Sequence, residues 1–335
     1  MTQKWDDAMF KATPPPAELV DFVKNHQKFL IIGHKEPDGD CIGSQLALSG
    51  TLSAMGKTAI CFSEGPFKRN EILVYQNLFK TEITEADKKD AAVIIVDCST
   101  PERTGSLGRQ ISGLPLALID HHASGEAVGD VVFVDGNSPA AVLLVYALII
   151  ALGQTPNKDI ASLLFLGLAA DSGFFRHLDS GCADAFTIAA ALINCGANPK
   201  QAYAQMNGGK SLNSRALLGT VLSKITPYYG GKLVISTEAL EETERFGLES
   251  RDSDTLYQLI QSIEGVEAIA VIRQESPENC TVGLRSRDYV DVGKIASDFG
   301  GGGHKNAAGF LKPGKIADIK VQLIAAFEAY FEKPK

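Results

Sequence analysis

Four short stretches carry acids and imidazoles at spacings that suit a cation. His34-x-x-x-Asp38-x-Asp40 comes first, then a solitary Asp97, then Asp120-His121-His122, then Asp171-Ser172-Gly173. Packed together, so many carboxylates would repel one another and disturb each other's ionisation unless positive charge lay between them. Divalent cations supply that charge, and mixed Asp and His donors suit manganese or a similar first-row metal better than calcium. No thiolate belongs to the set, which argues against a structural zinc site. With this many donors, two metals about 3.5–4 Å apart sharing one carboxylate is the natural arrangement, and water activated between them would attack phosphorus. A lone Asp at a strand end is ordinarily a helix cap or a turn former. Here four separate segment ends each bear a usable donor, and that coincidence argues for a centre.

The chain must supply elements that bring these segments together. Short apolar runs at Phe29–Gly33, Thr58–Phe62, Ala91–Val96, Leu114–Ile119 and Val131–Val134 predict buried parallel strands. Helical patterns at Ile42–Met55 and Phe67–Phe79 lie between them, and Ser138-Pro139 marks a helix start for the apolar run that follows. Asn157 caps a further helix, Lys158–Ala170. This alternation predicts an α/β fold, a parallel sheet with helices on both faces. The ligand crevice of such a sheet lies beyond the carboxyl ends of its strands, where the acids and histidines fall. Residues 1–195 are expected to form this catalytic domain and 196–215 a helical connector. Residues 216–335 are expected to form a smaller α+β domain, with a hairpin at Gly230-Gly231 and strands near Ala268–Arg273 and Thr281–Arg285.

Composition narrows the class. At 335 residues, 45% of them hydrophobic, the chain is globular and needs no disulfide to fold. Six scattered cysteines without a C-x-x-C pair fit a reducing cytoplasm. The longest apolar run, Ala140–Leu152, is shorter than the ~20 residues of a bilayer crossing, and the polar N-terminus has no signal-peptide core, so no membrane is expected. Residues 1–195 hold 15 Lys+Arg against 23 Asp+Glu, whereas 196–335 hold 17 of each. An acidic excess confined to the first domain disfavours long duplex nucleic acid as a partner.

The ordered set His34-x-x-Pro37-Asp38-Gly39-Asp40-x-x-Gly43-Ser44, Asp97, Asp120-His121-His122 and Asp171-Ser172-Gly173 resembles the signatures of the DHH phosphoesterase family. The run Gly300-Gly301-Gly302-Gly303-His304-Lys305-Asn306-Ala307-Ala308-Gly309 resembles the glycine-rich signature of the DHH-associated C-terminal domain. The resemblance implies a parallel-sheet DHH domain, a smaller α+β domain and a metal site in the cleft between them. It implies two divalent ions, manganese in kind. His34, Asp38 and Asp97 would bind one, while Asp40, Asp97, His121 and Asp171 would bind the second, with Asp97 bridging. His122 would stand nearest the substrate phosphate and Asp120 would orient the histidine pair. Ser172 stands where the family usually has Thr, a change that keeps the hydroxyl.

Four glycines in isolation suggest a linker, but these follow a helix and precede His304-Lys305, so Gly301, Gly302 and Gly303 can offer backbone N–H groups to an anion. Arg285 and Ser286, in Arg285-Ser286-Arg287, add phosphate or base contacts, and Arg103 and Arg176 lie near two of the metal motifs. The implied activity is hydrolysis of very short oligoribonucleotides to mononucleotides and dephosphorylation of phosphoadenosine phosphate (pAp), with these molecules as partners and a homodimer left open. Cyclic or linear dinucleotide phosphodiesterases share the core motifs and form the alternative. A RecJ-like single-strand exonuclease would normally carry a further nucleic-acid-binding domain, and a non-catalytic nucleotide sensor would have lost donors that are all present here.

Overall fold

Five apolar stretches form an all-parallel sheet: β1 (Lys28–Ile32), β2 (Thr58–Phe62), β3 (Ala91–Val96), β4 (Leu116–Asp120) and β5 (Val131–Val134), in the order β2-β1-β3-β4-β5. The computed structural model describes residues 13–122 and 127–331, and the chain divides into two units, Met1–Gly209 and Lys210–Lys335. In the first unit the central strands β1, β3 and β4 are apolar on both faces because both are covered, whereas Val132 and Val134 of the edge strand β5 are exposed. Phe29, Ile31, Ile94 and Ile119 pack with the helices Ala17–Asn25, Gly39–Ala54, Ala141–Ala151 and Lys158–Asp171, while Leu30, Ile32, Val93 and Ile95 pack with Ile83, Leu107 and Ile111. The strand order changes direction between β1 and β3. That switch point is where an open α/β sheet leaves a crevice at its carboxyl edge.

Two helices come unusually close at that edge. A methyl group on Gly43 would lie 2.7 Å from the Leu163 carbonyl oxygen, and one on Gly39 would lie 2.5 Å from the Ala170 side chain. Bare backbone therefore lets the helix Gly39–Ala54 lie against the helix Lys158–Asp171. Gly43→Ala is expected to push the pair apart, destabilising the unit by about 1–3 kcal/mol as overpacking does. It should also weaken divalent-cation binding; thermal denaturation and calorimetry of the same variant check both outcomes.

One expected element is absent. Phe67–Phe79 is not a continuous helix but a short turn of helix at Asn70–Leu73 followed by a 3-10 turn at Gln76–Leu78. Its apolar residues do not share a buried face: Ile72 is buried while Leu73, Val74 and Leu78 are exposed, so no stripe is available to pack a longer helix.

The second unit holds a mixed sheet of β6 (Thr226–Tyr228), β7 (Leu233–Glu238), β8 (Ala268–Ser276), β9 (Asn279–Ser286), β10 (Gly302–His304) and β11 (Ala307–Pro313), in the order β10-β11-β9-β8-β7-β6. Helices Val292–Asp298 and Ile316–Phe331 cover one face, and Leu212–Leu222 and Ser253–Gln261 the other. Within the stretch 196–215, the helix Pro199–Asn207 lies in the first unit and Leu212–Leu222 begins the second. Among the described residues no helix is long and apolar enough to cross a membrane. All six cysteines are free thiols.

Candidate metal centre

Asp97 leaves β3 with φ +60°, a left-handed conformation that Asp tolerates better than most residues. Its N–H donates to the Ile119 carbonyl of β4 at 2.9 Å, which fixes its place between the two strands. From there Oδ2 lies 3.4 Å from His34 Nε2 at the end of β1, and Oδ1 lies 3.4 Å from His121 Nε2 at the end of β4. His121 Nε2 is also 3.7 Å from Asp40 Oδ2 and 3.5 Å from Asp171 Oδ2. The segments that carry His34, Asp97, His121 and Asp171 therefore converge as their spacing predicted, together with Asp40 at the start of its helix.

The tautomers say what the cluster wants. His34 Nδ1 is 2.8 Å from the Lys35 carbonyl oxygen, and His121 Nδ1 is 3.1 Å from that of Ser138. A carbonyl only accepts, so each Nδ1 carries a hydrogen, and in the neutral form each ring would turn its Nε2 lone pair toward carboxylate oxygens. Lone pairs facing anions are unfavourable without something positive between them. Asp97 Oδ1 is moreover buried with no hydrogen-bond partner among the described residues, and a buried polar atom so placed demands a reason. A divalent cation satisfies both conditions, so the residues present fit the implied metal.

Protons take the cation's part when it is missing. Burial opposes a charged ring, yet Asp97, Asp40 and Asp171 raise the pKa of His121 to about 10. His34 is raised far above its ordinary value despite burial, by Cys41, Asp38 and Asp97. Asp40 and Asp171 are raised as well, by burial first and then by neighbouring acids. Since the folded-state value of His121 lies above 6.5, its contribution to metal-free stability is complete below that pH and lost as pH climbs through about 10. Metal must displace these protons, so affinity is expected to rise with pH and binding near neutrality to release protons. Titration calorimetry in two buffers of different ionisation enthalpy reads that release, and binding without it would contradict the assignment.

Asp40 does a second job. Its Oδ2 accepts the N–H of Ala141 at 2.6 Å and its Oδ1 that of Val142 at 2.9 Å, so a wholly buried carboxylate caps the helix Ala141–Ala151. Asp38 also caps: its Oδ1 accepts from the backbone of Asp40 and Cys41 at 3.1 Å each while standing 3.9 Å from His34 Nε2. Burial opposes its ionisation, but His34 and the Cys41 N–H hold it down to about 2. Asp120 is fully buried; its Oδ1 receives the Nδ1–H of His122 at 2.7 Å and its Oδ2 the Ser99 hydroxyl. Those two bonds outweigh burial and keep its pKa below the usual carboxylate range. His122 is thus oriented by Asp120, with about a third of its side chain exposed. Cys41 is the residue that sequence reasoning passed over: its sulfur joins His34 and Asp97 in one cluster of donor atoms.

Residues 28–168 match the DHH family, N-terminal domain, and residues 230–333 match the DHHA1 domain. A bifunctional oligoribonuclease and PAP phosphatase NrnA of Thermus thermophilus is 32% identical over 86% of this chain and 85% of that protein. The chain belongs to the DHH family. It is accordingly a DHH phosphoesterase, a hydrolase, as its ordered motifs suggested. The NrnA of Bacillus subtilis is 24% identical over 87% of this chain and 91% of that protein. A cyclic-di-AMP phosphodiesterase PdeA of Listeria monocytogenes is 26% identical over 94% of this chain, which spans 49% of that longer protein. An exopolyphosphatase-related protein from Bacteroides fragilis shares the fold at 22% identity, with a TM-score of 0.77 over 94% of this chain and 97% of that one.

In the DHHA1 unit the glycine run is built into the sheet. Gly302–His304 is the edge strand β10, paired with β11, and Gly301, Gly302, Gly303, His304 and Lys305 are exposed. Neither a linker nor a free loop results: Gly303 has φ +145°, and a methyl group there would strike the Ala307 oxygen at 2.5 Å. Arg285 lies with its guanidinium 4.4 Å from the centre of the Tyr257 ring. Ser286 is buried, its hydroxyl donating to the Val290 carbonyl at 2.7 Å, and so ties its own loop together. In the DHH unit, Arg103 and Arg176 are exposed; the carbonyl of Arg103 accepts the Lys35 N–H at 2.8 Å, and Arg176 Nε lies 3.3 Å from His177 Nε2.

Proposed function

We propose that this DHH phosphoesterase hydrolyses very short oligoribonucleotides to mononucleotides and removes a phosphate from pAp. The observation that carries the hydrolytic part is the buried, unpartnered oxygen of Asp97 among two imidazole lone pairs and two further carboxylates. The substrate class is supported by the names of the NrnA relatives, one of them 32% identical over 86% of the chain. His34, Asp38 and Asp97 would hold one divalent cation and Asp40, Asp97, His121 and Asp171 a second, manganese suiting this mixed oxygen and nitrogen set. Bound there, the cations would supply Lewis acidity and activate water at neutral pH. The chain's own residues do the rest. His34 and His121 keep Nδ1–H on backbone carbonyls, which fixes each ring with Nε2 toward the centre. Asp120, held as a carboxylate, accepts the Nδ1–H of His122 and orients that ring as the proton donor to the oxygen leaving phosphorus. Arg103 and Arg176 hold the scissile phosphate, while Arg285, Gly301, Gly302, Gly303, His304 and Lys305, with Ser286 shaping their loop, hold the nucleotide.

The 26% identity to PdeA across 94% of the chain favours a second reading, cleavage of cyclic or linear di-AMP. A panel of dinucleotides, longer oligomers, pAp and cyclic di-AMP, run with manganese and with magnesium, separates the two. Turnover of dinucleotides and pAp well above that of cyclic di-AMP is expected. Preference for the cyclic substrate would replace the first reading with the second.

A further inference from the structure

Cys41 follows Asp40 in the first turn of the Gly39–Ala54 helix and is wholly buried. Its sulfur and the donor atoms of His34 and Asp97 all lie within 4.8 Å of one another, a spread that one cation can bridge. The thiol is held there. A methyl group on Gly33 would come within 2.1 Å of the sulfur, so the bare backbone before His34 makes its space. On its other side Gln45 is locked, its amide nitrogen donating to the Ile31 and Phe62 carbonyls at 2.9 Å each. That leaves Gln45 Oε1 to accept from the thiol at 3.7 Å. The sulfur also lies beside His34 and an Asp97 carboxylate whose Oδ1 has no partner among the described residues.

We infer that Cys41 is a conditional donor that makes the His34–Asp97 half of the centre discriminate thiophilic cations such as Cd2+ and Zn2+ from Mn2+. The inference rests on the proposed metal centre and adds a donor to it. Manganese takes oxygen and nitrogen, so with it the S–H bond and its contact to Gln45 survive. A thiophilic cation gains enough from sulfur to replace the proton: the S–H bond breaks, a sulfur electron pair forms the bond to the cation, and the proton passes to solvent. No electrons change hands. The cost is the lost S–H contact to Gln45, which confines the exchange to cations that bind sulfur strongly.

The test titrates Cd2+ into the metal-free full chain in which the partly exposed Cys182 and Cys195 are replaced by serine. It follows the ultraviolet thiolate-to-cadmium charge-transfer absorption, which does not depend on turnover. One thiolate's absorption saturating with the first cation is expected. Cys41→Ser should abolish it and lower Cd2+ affinity about tenfold or more, the scale on which metal-site partners act, while Mn2+ affinity stays unchanged. Retained Mn2+ binding also shows that the variant is folded. The inference is overturned if the absorption survives Cys41→Ser, or if Cd2+ displaces Mn2+ from the unsubstituted centre without any thiolate absorption. Failure of both cations to bind would instead sink the metal centre, and this inference with it.

Discussion

Asp97→Asn is expected to abolish measurable turnover of a dinucleotide, by at least about 10³-fold, more than the loss of one electrostatic contact in an enzyme usually costs. The amide keeps the shape of the carboxylate, so φ +60° and the bond to Ile119 should persist and the unit should stay folded. What goes is the charge that faces His34 on one side and His121 on the other. Because one side chain serves both halves of the centre, two cation equivalents should disappear together from a calorimetric titration. Loss of a single equivalent would show that Asp97 does not bridge, and full activity would defeat the two-metal assignment altogether.

His122→Ala should behave differently. The ring hydrogen-bonds to Asp120 at 2.7 Å and lies further, at 3.8 Å, from Asp97 Oδ1, and it is more exposed than His34 or His121. Removal of a proton donor at the leaving oxygen should lower kcat by about 10²–10⁴-fold with cation affinity retained. Substrates with a good leaving group, such as a nitrophenyl ester of a nucleotide, should lose much less, because their departing oxygen needs no proton. An equal loss for good and poor leaving groups would assign His122 to phosphate binding instead.

Much of this was written in the sequence. Strands β1, β3 and β4 are legible because each is buried on both faces and so forms an apolar run, and the edge strands β2 and β5 because their apolar residues are β-branched or aromatic in the main. His34, Asp97 and Asp120-His121-His122 are legible because they terminate those runs at the edge where such sheets bind ligands. What escaped depends on contacts distant in the chain. Ser138-Pro139 suggested the start of the next helix, but the carboxylate that caps it is Asp40, 101 residues away from Ala141. Cys41 looked like an unremarkable neighbour of Asp40, and only the fold brings its sulfur beside His34. The left-handed turn at Asp97 has no signal beyond the tolerance of Asp for it. Phe67–Phe79 misled because apolar residues at helical spacing show a pattern whether or not a core exists to receive them.

The capping role of Asp40 divides the centre into dispensable and indispensable parts. A descendant that gives up hydrolysis has no chemical use for His34 or His122, and neither side chain caps a helix. Loss of Asp40 strips the start of an almost wholly buried apolar helix of its acceptors, at about 1 kcal/mol or more. Relatives that have drifted into inactivity should therefore keep this aspartate long after its neighbours have been replaced, and its presence alone is no sign of a working enzyme.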